Sequence, residues 1–466
     1  MENFKISLSG IRGIVGESLF RATIFDLALA FSKFSRGKIL IGRDTRPSGR
    51  RFSQTAIEAV KTTGRNAIDL GILPTPTVLL LVKKMRAAGG MIITASHNPS
   101  NWNGLKLVNS QGSFLDSRDL RRFLDCFEKV KKEQGHKKEK LSLSKDVKFC
   151  GTKAIDTHIQ TVLKYIDCQA IKKKGFRVGI DPVNGAGAVI SRKFLEKLNC
   201  RVFSINENPN GRFGRGPEPL PQNLTKLSQL VKKHNLDMAF AQDPDADRLA
   251  IVSERGIPIG EEYSLALAFQ GWLNRFEESR LQGERTVVIN LATSQMVEDM
   301  ARMSDWKVRR TRVGEVNVVE KMKETGASFG GEGNGGVICP LINWGRDSFA
   351  GMGLILELAA SSRKTISQLI GELPGYYRFN DKVKISSSKG REVFEVFKKK
   401  FKGQLKNCKV NFSDGIRAEG NKFWWLVRLS NTEPVIRIMG EAQTNHKAKA
   451  LLASLKRRLR EANKDI

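Results

Sequence analysis

The strongest constraint in this chain is a layout that recurs three times. A short apolar stretch leads into a polar loop and a helical pattern. A second apolar stretch, another helical pattern and a third apolar stretch follow, and the third ends in unusual polar residues. The opening stretches read KILIGRDTR at Lys38–Arg46, FRVGIDPVNGAG at Phe176–Gly187 and RTVVINLATS at Arg285–Ser294. The closing ones read GMIITASHNP at Gly90–Pro99, LDMAFAQDPDADR at Leu236–Arg248 and ASFGGEGNGG at Ala327–Gly336. Apolar runs of about four to six residues between helical patterns predict strands buried in mixed, mostly parallel sheets with helical crossovers. Such sheets collect ligands beyond the carboxyl ends of their strands. Each closing stretch therefore delivers its polar residues to an edge where ligands bind. The recurrence is one of layout, not of letters.

After about Pro374 the pattern changes. YYRFNDKVKISS and, later, FWWLVRLSNTEPVIRIMGEA alternate with helical segments and end in a basic helix, as in a smaller α+β domain. The expected fold class is α/β: three similar domains over 1–150, 151–256 and 257–372, then a C-terminal α+β domain over 373–466. A chain of 466 residues fits that division, since domains run roughly 100–200 residues.

Composition removes several classes. Hydrophobic residues at 40% and charged residues at 27% are ordinary for globular chains and argue against disorder or a collagen. No apolar run approaches the roughly 18 residues of a membrane span. The greasiest stretch, Ile72–Val82, carries Pro74 and Pro76. No membrane partner is expected, and the opening MENFKISLSG lacks the layout of a secretory signal, so a cytoplasmic location is expected. Six cysteines, at 126, 150, 168, 200, 339 and 408, include no CxxC pair and suggest neither zinc nor a disulfide framework. The net charge is +31, from 79 Lys and Arg against 48 Asp and Glu. A basic surface attracts polyanions, from nucleic acid to phosphorylated metabolites. Here the charge is spread along the chain, with denser runs at Lys131–Lys140, Lys172–Lys174 and Lys456–Arg460 that read as solvated helix faces. No specific nucleic acid is expected.

Four loops carry chemistry. In TASHNP, Ser96 follows a strand-like run and precedes His97, Asn98 and Pro99. A serine at a strand end can accept or donate a group, although a Ser-His-Asn string also suits a plain turn. No GxSxG elbow is present, which disfavours acyl-enzyme hydrolysis. In DPDADR, the carboxylates of Asp243, Asp245 and Asp247 crowd hard oxygens together. Their mutual repulsion calls for a divalent cation, Mg²⁺ or Ca²⁺. An EF-hand is disfavoured: Glu254 falls at its twelfth position, but Arg248 stands where that loop needs glycine and the flanks are strand-like. Arg248 beside a metal can hold a phosphate or a phosphoserine.

GEGNGG, at Gly331–Gly336, satisfies GxGxxG, yet a β-like VICPL follows it instead of a helix. The carboxylate of Glu332 and the amide of Asn334 suit paired hydrogen bonds to sugar hydroxyls. Finally, Arg428, Ser430, Asn431, Thr432 and Arg437 in RLSNTEPVIR have the composition of a phosphate cradle, with no Walker loop in the chain. Further basic loops are SGIRG and GRDTRPSG. Arg12 can reach a reacting group, while Arg43 and Arg46 serve equally well as partners of Asp44 or Glu17.

These four loops, in this order over the whole chain, resemble the α-D-phosphohexomutase superfamily, whose members include phosphoglucomutase, phosphomannomutase and phosphoglucosamine mutase. The resemblance implies a heart-shaped molecule of four domains with one loop from each meeting in a central cleft. It implies that Ser96 carries a phosphoryl group and binds one Mg²⁺ together with Asp243, Asp245 and Asp247. Glu332 and Asn334 match the sugar-selecting loop, and Arg428, Ser430, Asn431 and Thr432 match the loop for the other phosphate. Lys106 and Arg12 match basic residues near the transferred group, with Lys106 as candidate general base; Arg248 and His97 are further catalytic candidates.

The implied activity interconverts hexose 6-phosphate and hexose 1-phosphate, with hexose 1,6-bisphosphate as activator, in a monomer or homodimer. Phosphoglucosamine is the first expected substrate, with a broad phosphomannomutase/phosphoglucomutase as the alternative. A catalytically silent relative or a polyanion-binding protein is the reading from another class. One position departs from the commoner GE-x-S-G-H pattern: Gly336 stands where that histidine would be. The GEGNGG version resembles an archaeal-type branch of the family.

Overall fold

The computed structural model describes residues 4–134, 151–279, 283–385, 390–402, 408–429 and 435–464. Three of its sheets are built on one plan. In the first, strands Ile39–Arg43, Ala67–Ile72 and Gly89–Ile93 run parallel, and Trp102–Asn109 returns antiparallel beside the third. The second repeats this with Arg177–Asp181, Arg201–Ser204, Met238–Gln242 and Leu249–Ser253. The third uses Glu284–Asn290, Lys307–Thr311, Ala327–Glu332 and Gly336–Ile338. In each, the opening strand sits between the second and the third, and the fourth hairpins onto the third. The polar loops therefore occupy one equivalent position, the connection from third to fourth strand. The first sheet is extended by Gly10–Ile14 and Lys5–Ser7.

The apolar runs are strands because both their faces are covered. Every residue of Gly89–Ile93, Met238–Gln242 and Leu249–Ser253 is buried, as continuous hydrophobic patterning requires of sheets flanked by helices. The first sheet has separate apolar cores on its two faces, one around Phe31, Ile41 and Phe123, the other around Leu40, Leu79 and Ile92. The second and third sheets instead share one core, in which Phe240, Trp272, Phe329 and Phe349 belong to a single cluster. Helix Ser348–Ser362 joins them by packing on Glu261–Ser279, Cys168–Lys174 and Gly151–Leu163. Asp347 caps that helix, accepting from Phe349 N at 2.9 Å, while its other oxygen meets His158 Nε2 at 2.8 Å. The opposite ring nitrogen of His158 reaches Thr77 Oγ1 at 2.8 Å, so one buried imidazole ties the first unit to the other two.

The fourth sheet is wholly antiparallel: Tyr377–Lys384, Val435–Ala442, Phe423–Leu429, Ile416–Gly420 and Lys409–Asn411, in that order. Helices Gly390–Lys402 and Asn445–Lys464 pack on it. Trp424, Leu426 and Met439 pack against Leu291 of the third unit. Buried Glu441 fastens the same junction, accepting from Trp424 Nε1 and from Gln295 N, each at 3.0 Å. Among the described residues no helix is long and apolar enough to cross a membrane.

Candidate active site

Ser96 lies three residues beyond the first unit's third strand and is 1% exposed. Its φ of 51° is left-handed, a conformation that costs a non-glycine residue roughly 1–3 kcal/mol and persists only where neighbours enforce it. Two neighbours do so. Thr94 Oγ1 accepts from Ser96 N at 2.9 Å, and Arg46 donates to Ser96 O at 2.5 Å. Arg46 spends its whole guanidinium here. Nε binds Asp44 at 3.0 Å, and the terminal nitrogens donate to the carbonyls of Ser96, Asn98, Pro99 and Trp102. The Asp44 partnership was legible in the sequence; the loop-holding role was not.

The acidic loop faces this serine. Ser96 Oγ donates to Asp243 Oδ2 at 3.2 Å across 147 residues of sequence. Asp243 Oδ1 accepts from the backbone N–H of Asp247 and of Arg248, each at 3.1 Å. Ala246 in the same loop is also left-handed, at φ 55°. Thr75, opening helix Thr75–Lys84 of the first unit, donates its N–H to Asp245 O at 2.9 Å and its hydroxyl to Asp245 Oδ2 at 2.6 Å. The two units thus dock through the acidic loop itself.

The three carboxylates are buried, and each offers a ligand atom within 4.8 Å of the others. Burial and the two neighbouring carboxylates push Asp243 well above the usual range. Burial also works to raise Asp245, but Lys106 outweighs it and holds that carboxyl low. One oxygen each of Asp245 and Asp247 has no hydrogen-bond partner. Sealed carboxylate oxygens without donors are costly, and three converging hard oxygens form the donor set of a small divalent cation. The residues fit such an ion.

Lys106 Nζ lies 2.7 Å from Asp245 Oδ2 and 2.9 Å from Asp247 Oδ2. Burial works to lower its pKa, but the two carboxylates prevail and raise it. An ammonium held in this way is a counter-charge. Lys106, the expected general base, thus lies among the carboxylates that face Ser96.

Arg248 donates to Glu218 Oε1 at 2.6 Å and to His97 Nδ1 at 2.9 Å. Arginine only donates, so His97 Nδ1 is an acceptor and the ring's remaining proton sits on Nε2. Arg248, together with burial, pushes His97 well below its ordinary value. Arg12 reaches the same loop from strand Gly10–Ile14, donating to Asn98 Oδ1 at 3.0 Å.

Glu332 is the last residue of its strand and is buried, so the glycine-rich turn does not present it freely. Its Oε1 accepts from Asn290 Nδ2 at 2.7 Å and Gly314 N at 3.0 Å, and its Oε2 from Arg346 at 3.0 Å. Asn334 lies in the turn proper, with Oδ1 buried and lacking a partner. Arg428 and Arg437 stand opposite each other on adjacent strands. Asp414 Oδ1 lies 3.4 Å from Arg428 Nε, while its Oδ2 accepts from Val313 N at 3.0 Å. Ser430, Asn431 and Thr432 lie outside the described residues. The residues that sequence reasoning missed are Thr75, Glu218, Glu315 and Arg346, whose partners lie far along the chain or across the fold.

A serine held in a left-handed turn against three converging carboxylates, with guanidiniums on both sides, defines a phosphoryl-transfer enzyme. Comparison with known proteins names its kind. Residues 4–134, 156–256 and 261–377 match phosphoglucomutase/phosphomannomutase alpha/beta/alpha domains I, II and III, and 380–458 match the C-terminal domain. The chain belongs to this family, within the α-D-phosphohexomutase superfamily, and is an isomerase of phosphohexoses. It is 34% identical over 459 residues to a phosphoglucomutase/phosphomannomutase of Thermococcus kodakarensis, covering 95% of each chain. It is 32% identical over 453 residues to a phosphoglucosamine/phosphogalactosamine mutase of Sulfurisphaera tokodaii, covering 96% of this chain and 97% of that one. A crystal structure of a phosphoglucomutase/phosphomannomutase family protein from Burkholderia thailandensis has the same fold, with a TM-score of 0.82 at 20% identity and 98% of both chains covered.

Proposed function

We propose that this isomerase interconverts hexose 6-phosphate and hexose 1-phosphate through a phosphoserine at position 96, with phosphoglucosamine as its first substrate. In this reading the chain works as four units, 1–150, 151–256, 257–372 and 373–466, each supplying one loop. The observation that carries it is the 3.2 Å contact between Ser96 Oγ and Asp243 Oδ2. Phosphoserine 96 gives its phosphoryl group to the free hydroxyl of the sugar: the new P–O bond forms as the bond to Ser96 Oγ breaks, and the hydroxyl's proton passes by way of the general base, expected at Lys106, to leave Ser96 as a free hydroxyl. The bisphosphorylated sugar turns in the cleft, and its other phosphate returns to Ser96. Hexose 1,6-bisphosphate therefore activates the dephosphorylated enzyme.

Phosphoryl transfer needs charge neutralisation and alignment more than covalent chemistry from the protein. Asp243, Asp245, Asp247 and the phosphoserine would hold Mg²⁺, which when bound supplies neutralising charge at a phosphoryl oxygen. Arg248 and Arg12 add fixed positive charge beside Ser96. His97, with Nδ1 accepting from Arg248, offers an Nε2–H donor. Glu332 and Asn334 select sugar hydroxyls. Arg428, Ser430, Asn431, Thr432 and Arg437 grip the phosphate that is not reacting, and a cradle of donors accepts it in either orientation of the sugar.

A broad phosphomannomutase/phosphoglucomutase is the second reading, favoured by the name of the Thermococcus relative. Ser96→Ala decides the reaction class. It should abolish the phosphoryl adduct seen by intact mass after incubation with hexose 1,6-bisphosphate, and nearly all turnover with it. Parental turnover in that variant would sink the proposal. Comparing kcat/KM on glucosamine, mannose and glucose 1-phosphates separates the two substrate readings.

A further inference from the structure

Position 336 is glycine for want of space. Its neighbour Gly335 is left-handed, at φ 82°, but Gly336 is not, so an ordinary residue could adopt its backbone. A Cβ there would lie 2.2 Å from Arg346 Cδ and 2.9 Å from Arg346 Cγ. The stem cannot swing aside cheaply, because its guanidinium is moored at three carboxylates. Its nitrogens lie 2.7 Å from Asp247 Oδ2, 3.0 Å from Glu332 Oε2 and 3.1 Å from Glu315 Oε2. Glu315 Oε1 also accepts from Arg346 N at 2.8 Å. Arg346 is 6% exposed. Burial works to lower its pKa, yet the three carboxylates raise it well above the ordinary value.

We infer that Arg346 is the specificity-setting positioning residue of this chain: it fills the space a side chain at 336 would take and fixes Glu332 relative to the acidic loop. The inference rests on the reading of Glu332 as the sugar-selecting carboxylate. A carboxylate has about four acceptor sites, and three on Glu332 are taken, by Asn290, Gly314 and Arg346. One direction on Oε2 is left for a hydroxyl, and Arg346 sets that direction. Its other arm ends on Asp247, so the distance from the selecting carboxylate to the phosphoryl site is set by one rigid fork. A guanidinium has no acceptor and keeps its proton, so its work is positional and electrostatic. Lysine cannot reproduce it, because a compact point charge does not span three carboxylates as a planar fork does.

The test has two arms. Arg346→Lys should raise KM for the sugar phosphates more than it lowers kcat, and should narrow the spread of kcat/KM among glucosamine, mannose and glucose 1-phosphates by about tenfold, the scale of a lost specific contact. In the second arm, Gly336→Ala should impair the parent enzyme but cost little when Arg346→Ala has made room, the non-additivity expected of two residues that compete for one space. An unchanged spread in Arg346→Lys, or strictly additive effects of the 336 and 346 changes, overturns the inference while leaving the mutase reading intact. Failure of the unmodified enzyme to form a phosphoserine overturns the mutase reading and the inference with it.

Discussion

The Ser96 loop and the Glu332 hairpin occupy the same position in two copies of one topology, yet they are held in different ways. Each relies on a single buried arginine. Arg46 belongs to the same unit as its loop and spends four of its contacts on backbone carbonyls, with Asp44 balancing its charge. Arg346 spends its contacts on carboxylates, one of which, Asp247, comes from another unit. The Arg46 clamp thus ends mainly on neutral carbonyls, while the Arg346 clamp ends on charged groups whose energies follow changes of local charge more steeply. In the proposed reaction the first steadies Ser96 and the second couples Glu332 to the acidic loop.

The sharpest way to break this contrast is Arg46→Ala. It strips several carbonyls of their donor and leaves Asp44 as a lone buried charge, a loss of about 3–5 kcal/mol. Urea denaturation should show that loss, and phosphoserine formation should fall on the order of a hundredfold as the loop loosens. A stability change under about 1 kcal/mol would show that the loop holds itself.

Asn290→Ala attacks the other mooring more gently, because Gly314 N and Arg346 remain on Glu332. Loss of one hydrogen bond worth about 1 kcal/mol should raise KM for the sugar phosphate about fivefold, exceeding any fall in kcat. Steady-state kinetics that showed a kcat effect alone would reverse the assignment of the two loops.

The smallest effect concerns Glu261, which acts on Arg248 between the loops. Its Oε1 is sealed and has no partner. Burial, opposed by Arg248 and aided by Glu218, raises its pKa from 4.5 to about 7. The folded protein therefore binds this proton more tightly than the unfolded chain does. The associated stability is fully present below 4.5 and is lost as pH rises through about 7. Glu261→Gln should flatten stability against pH across that window, and parallel curves for parent and variant would refute the shift.

Much of the architecture was legible because it is encoded locally. The runs at 238–241 and 249–252 are apolar at successive positions, which suits a strand covered on both faces. The polar cluster at the end of each third strand falls at the connection to the fourth, so topology puts Ser96 and the aspartates at the equivalent edge, each of its own sheet. Lys106 shows what local reading cannot supply: its partners are two carboxylates some 140 residues away. Arg46 was legible as a partner of Asp44, two positions away, but not as the clamp on carbonyls 50 residues on.

The amino-acid order by itself determined the strands, their helical crossovers and where the polar loops of the three α/β units fall, because hydrophobic periodicity and turn composition act over a few residues. Only the tertiary structure decided the partners. It gave Asp245 its hydroxyl from Thr75, His97 its donor from Arg248, and Glu332 its clamp from Arg346. Such pairings depend on how separately folded units pack, and the energies that choose among them arise only once the charges have left water.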